Sequence, residues 1–136
     1  MDYEKEVNEA LFAGRNAFSS LNEARNMLSS ARGWGIYDTF FKGGWISGLI
    51  KHSKMRDAED CIANARNALI YFNNELNDLN LLGINLDTTD LLGFADIFFD
   101  GFLTDILMQS RIREACNQVD SAIAKVESLI ARLETL

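Results

Sequence analysis

Three apolar seams constrain this chain more than any other feature. Tyr3, Val7, Ala10, Gly14, Ala17, Leu21, Ala24, Leu28 and Ala31 follow one another at alternating spacings of four and three. Ala58, Ile62, Ala65, Leu69, Phe72, Leu76 and Leu79 do the same, as do Ala115, Val119, Ala122, Val126, Leu129, Leu133 and Leu136. Such spacing averages ~3.5 residues and keeps one helix face turned to a neighbour along its whole length. Leu11, Phe18, Cys61, Ala68, Ile123 and Ile130 widen the stripes. The pattern predicts long helices over residues 2–32, 46–80 and 103–135, and the absence of proline leaves them unbroken. The first seam is rich in Ala and Gly, which implies close approach of its backbone to a neighbour.

The second and third seams are offset by 57 residues at all seven positions. Upstream, GIYDTFFKG at Gly35–Gly43 matches GFADIFFDG at Gly93–Gly101 at an offset of 58, so Gly44 is the simplest extra residue in the first copy. Past it Trp45 pairs with Phe102, Ser47 with Thr104, Ser53 with Ser110 and Arg56 with Arg113. These matches imply a duplicated unit, residues 35–79 and 93–136, made of an aromatic Asp-Gly junction and a long amphipathic helix. The stretch from Leu81 to Gly101 is too long for a structureless connection, and Thr88, Thr89 and Asp90 mark the start of a short helix there. The expected fold is all-α: one domain over residues 1–136, an elongated antiparallel bundle of three long helices with short helical or aromatic junctions.

Composition narrows the functions open to such a bundle. Twenty acidic against 13 basic side chains give a net charge of −7, which argues against nucleic acid and against an anionic membrane surface. No apolar run approaches the ~20 residues that span a bilayer, and the acidic start does not resemble a secretory signal. The expected setting is cytoplasmic, with Cys61 and Cys116 as buried, reduced thiols. Neither cysteine stands at metal-ligand spacing, so no metal or other cofactor is expected.

Reactive residues gather at the junctions. Asp38 and Asp96 hold equivalent places, each followed by two phenylalanines and a glycine. As caps they would accept bonds from free backbone N–H groups, while Phe41, Phe99, Trp34 and Trp45 enter a junction core. As chemistry they would serve as acid–base groups or ligands. Recurrence in both copies favours the cap. The junctions also carry opposite charge: Asp87 to Asp105 holds five aspartates and no base, and Lys42 to Arg56 four basic residues and no acid. Opposite signs at two places on one rod could join copies head to tail or bind separate partners, although charge runs are mostly solvated faces.

The asymmetric feature is Lys51, His52 and Lys54, with Gly43, Gly44 and Ser47 before them. A glycine pair opening a helix, followed by Lys and His, suits a small anion or metabolite, with Asp38 orienting the imidazole of His52, the chain's single histidine. The competing reading gives His52 a structural bond near a helix end.

Two segments carry a likeness. Trp34–Ala58, WGIYDTFFKGGWISGLIKHSKMRDA, and Phe94–Ile112, FADIFFDGFLTDILMQSRI, together about a third of the chain, are similar to a group of small helical bacterial proteins. That group pairs a WGxxD…GGxISxxxKHxK segment with an FFDxxFTDxxxQxKI segment. The resemblance implies a bacterial, helical protein and implies no reaction. The reading that best joins these observations is a non-enzymatic helical interaction or structural module, binding a protein partner or itself as a homodimer; an anion or metabolite site around Asp38 and His52 is the alternative.

Overall fold

The computed structural model describes residues 3–30, 45–98 and 102–136, with side chains for these residues except 30, 45–56, 103, 104 and 107. Among the described residues the chain is helical and contains no strand. Helix α1 spans Tyr3–Ser30, α2 Trp45–Leu81, α3 Leu91–Ile97, α4 Phe102–Met108 and α5 Ile112–Glu134. Among their side chains no helix is long and apolar enough to cross a membrane.

The seams fold inward. In α1 every seam position from Val7 to Leu28 is buried, and only Tyr3, at the helix start, is half exposed. In α2 the seven positions from Ala58 to Leu79 are all buried, and in α5 those from Ala115 to Leu133 are too. Leu136, the last residue, lies outside the core. Seam spacing therefore forecast burial wherever a neighbouring helix was present to cover it.

Helix α1 lies between α2 and α5 and packs on both. Gly14 is the point of closest approach. A Cβ placed there would fall 2.9 Å from Phe72 Cε1 and Cζ on α2 and 3.0 Å from Ile130 Cγ1 on α5. The missing side chain lets Phe72 bury completely, which contributes roughly 2–3 kcal/mol. The register fixes directions. Moving along α1, Glu6 faces Glu75 and Asp78, then Gly14 faces Phe72, so α2 runs antiparallel. Gly14 meets Ile130 and Arg25 bonds Asp120 at 2.9 Å, so α5 runs antiparallel as well. Consequently α2 and α5 are parallel to each other.

The connection closes the far side. Helix α2 ends in a glycine-terminated turn: Gly83 at φ 89° lets its N–H reach the Asn80 carbonyl at 3.1 Å and the Ile84 N–H reach Leu79 at 3.1 Å. The expected short helix is α3. Asp90 stands at its N-cap without a side-chain bond, while Asp87 accepts from the Thr89 N–H at 3.2 Å and from the Thr89 hydroxyl. Helix α3 packs on α2 and α5, burying Leu91 and Ala95, and Arg66 Nη1 donates to the Phe98 carbonyl at its end, 3.2 Å away.

The third long helix differs from its expected span. Residues 102–135 form two helices, α4 and α5, with Ser110 between them at φ 55° and the Arg111 N–H closing back on the Ile106 carbonyl at 3.0 Å. The stretch around Ser53, 57 residues earlier, is continuous helix within α2. The break lets Phe102 and Ile106 turn into the core, with Phe102 edge-on to Phe98 at 5.4 Å between ring centroids. Three polar residues in a row, Gln109, Ser110 and Arg111, have no apolar face to hold the helix onto the bundle there.

Candidate functional site

Several residues singled out at the first junction lie outside the described ones. Trp34, Asp38 and Phe41 do, as does Phe99 at the second junction. Ser47, Lys51, His52, Lys54 and Trp45 are placed on the backbone of α2, and nothing is described of their side chains. At the second junction Phe98 and Phe102 are buried, as a junction core requires. Asp96, expected to cap a short helix, stands exposed in the last turn of α3; the residue at the start of that helix is Asp90.

The turn between α4 and α5 carries a polar chain. Gln109 donates to Asp105 at 2.8 Å, Arg111 donates to Gln109 at 3.1 Å, and Arg111 forks onto both oxygens of Glu114 at 2.8 Å each. The bond from Arg111 holds the Glu114 carboxyl below its usual range. A cleft of about 230 Å³ lies beside it, lined by Ile97, Phe102 and Ile106 as well as Asp105, Arg111 and Glu114. Every charge named in this network already has a partner, which suits a clasp on the turn.

The groove between α1 and α2 is different. Phe12 is 70% exposed and Tyr71 47%, and together with Glu4, Lys5, Asn8 and Glu9 they line a hollow of about 410 Å³. Lys5 reaches Glu9 at 3.8 Å. At its side the carboxylates of Glu6, Glu75 and Asp78 have oxygens within 4.8 Å of one another. Glu75 Oε2 is buried and accepts no hydrogen bond. Burial pushes the Glu75 carboxyl up, against the Tyr71 hydrogen bond, and Asp78, Glu9 and Glu6 push it further. The charge of Glu75 in turn raises the Tyr71 phenol. Carboxylates alone are the donors a hard cation would take, yet their proximity assigns no ion to this place. What the arrangement offers is an aromatic pair inside strongly negative surroundings.

Phe12, Tyr71 and these acids were not among the residues expected to act. A signal existed: Phe12 falls off its seam, and Tyr71 is one residue out of phase with Phe72. Elsewhere Cys116 is buried as expected, while Cys61 is only half-buried. Burial, then Glu23, Asp57 and Asp60, hold its thiol up and protonated. No family model, curated protein or solved structure matches the chain.

Proposed function

We propose that this chain is a non-enzymatic helical interaction module that presents the α1–α2 groove to another polypeptide. The carrying observation is the exposure of Phe12 beside Tyr71 on a protein whose described seams are covered except at Tyr3 and Leu136. Paired aromatic side chains in a hollow are the kind of anchor on which binding energy concentrates. Within this reading the architecture is a three-long-helix bundle, in which α2 and α5 descend from one duplicated helix-junction unit and flank α1. Equivalent heights support the duplication. Phe72 and Leu129 are partners at the 57-residue offset, and Gly14 meets Phe72 on one side and Ile130, next to Leu129, on the other. The same reading places the module in a bacterial cytoplasm and makes its partner a protein.

The test is a photo-crosslinking phenylalanine analogue installed at Phe12 and, as control, at Glu127 on the exposed side of α5. In the producing cell, position 12 is expected to yield polypeptide adducts well above those at position 127. Equal or absent adducts at the two positions would overturn the proposal.

A further inference from the structure

Five carboxyl groups surround the aromatic pair, against one ammonium. Glu4, Lys5 and Glu9 line the hollow with Phe12 and Tyr71, and Lys5 reaches Glu9 at 3.8 Å. Glu6, Glu75 and Asp78 stand at its side, their oxygens within 4.8 Å of one another. Neither of the next bases along the two helices offsets them. Arg15 does not line the hollow, and Arg66 donates to the Phe98 carbonyl. The paired Lys5 therefore leaves an excess of acid, and within it Glu75 Oε2 is buried without a hydrogen bond.

The spacing of ring and acid adds shape to the charge. Tyr71 bonds Glu75 one turn further along α2, so a ring and a carboxyl group lie ~6 Å apart along that helix. A segment that fits brings an apolar side chain to the rings and a cation about one turn away. An acid in place of that cation would be repelled.

We propose that the groove docks a cationic segment of a partner polypeptide, with an apolar side chain against Phe12 and Tyr71 and Lys or Arg side chains over Glu4 and over the Glu6, Glu75 and Asp78 cluster. The inference rests on the interaction-module reading and adds the chemistry of the partner. The rings supply the anchor, and the charges select what may approach it. A second copy set groove to groove is disfavoured, because each would present five acids and one lysine to the same.

Three helical probe peptides of about 18 residues test this against the full chain. The first carries Leu and Lys four residues apart on one face, the second has Glu for every Lys, and the third has Ala for every Leu. At an ionic strength of ~0.05 M the first is expected to bind and the second not, with binding of the first weaker at ~0.5 M. The third is expected to bind at least about tenfold more weakly than the first. Phe12→Ser and Glu4→Gln/Glu75→Gln are each expected to weaken the first peptide by at least about tenfold. Both variants are expected to fold, since Phe12 and Glu4 are exposed and Glu75→Gln removes a half-buried charge. Failure of the first peptide to bind overturns the inference. So does binding that neither variant weakens, or equal binding of the Glu peptide.

The crosslinker at position 12 separates this inference from the reading beneath it. Polypeptide adducts that fall sharply in Glu4→Gln/Glu75→Gln support the cationic partner. Adducts unchanged in that variant would leave the interaction module standing and remove the cationic partner, as would adducts between two copies of this chain. Absence of adducts at position 12 would remove both.

Discussion

Phe72 and Tyr71 are neighbours on α2 with opposite fates. Phe72 is fully buried against Gly14 and Ile130, whereas Tyr71 is half exposed beside Phe12. The same two helices contribute both places, at nearly the same height. One helical step, about 100° of rotation, separates an aromatic that holds the bundle together from one that is free to hold something else. The acids follow the same division. They are absent from the buried seam; Glu4 and Glu9 line the groove, and Glu6, Glu75 and Asp78 crowd together at its side. Groups that serve only the fold are paired or buried, as in the Arg111–Glu114 clasp; the groove keeps both an unpaired carboxylate oxygen and uncovered rings.

The contrast can be broken by mutation, and the inner side is expected to respond most. Phe72→Ala should cost about 3–5 kcal/mol in denaturant unfolding, since the cavity opens at the centre of the α1–α2–α5 contact. Loss of less than ~1 kcal/mol would mean that Phe72 is not the keystone its burial implies. Next comes Gly14→Val, expected to cost about 1–3 kcal/mol because the new side chain must displace the Phe72 ring and Ile130. A neutral result would show that the helices can move apart freely.

Effects at the groove are smaller and carry a pH signature. The Glu75 carboxyl titrates higher in the folded chain than in the unfolded one, mainly through burial. The folded state therefore holds that proton more tightly, so the favourable contribution is complete below about pH 4 and disappears as pH rises through the raised value. Glu75→Gln is expected to raise the thermal midpoint at pH 7 and to lose that advantage in acid. An advantage of equal size at both pH values would point to packing instead of charge. Smallest of all, Phe12→Ser should change stability by no more than ~0.5 kcal/mol, because the ring is already in water. A clear loss of stability there would turn Phe12 into a packing residue and dissolve the comparison with Phe72.

How much of this was legible beforehand differs by element. The seams of α1, α2 and α5 were readable almost residue by residue, and so was α3 from its Thr88–Asp90 start. The break at Ser110 was not, because Ser53 in the matching place continues a helix and local composition barely separates the two. The place of Asp96 is not legible for a related reason: an Asp near a short helix reads as a cap until the helix's direction and start are known. Phe12 and Tyr71 do not stand out in the sequence, because single off-seam aromatics are common on helices and signify little until two of them meet.

By itself, the order of residues determined that this chain forms helices and which stripe of each one turns inward. That is a local matter, since spacing along a helix sets the face a side chain occupies whatever lies opposite. Only the tertiary structure decided that Gly14 receives Phe72 and Ile130, and that Phe12, Tyr71 and the acids of two distant segments share one groove. Those outcomes depend on how helices far apart in the chain are set side by side, and periodicity within any one of them carries no record of its neighbour's height or rotation.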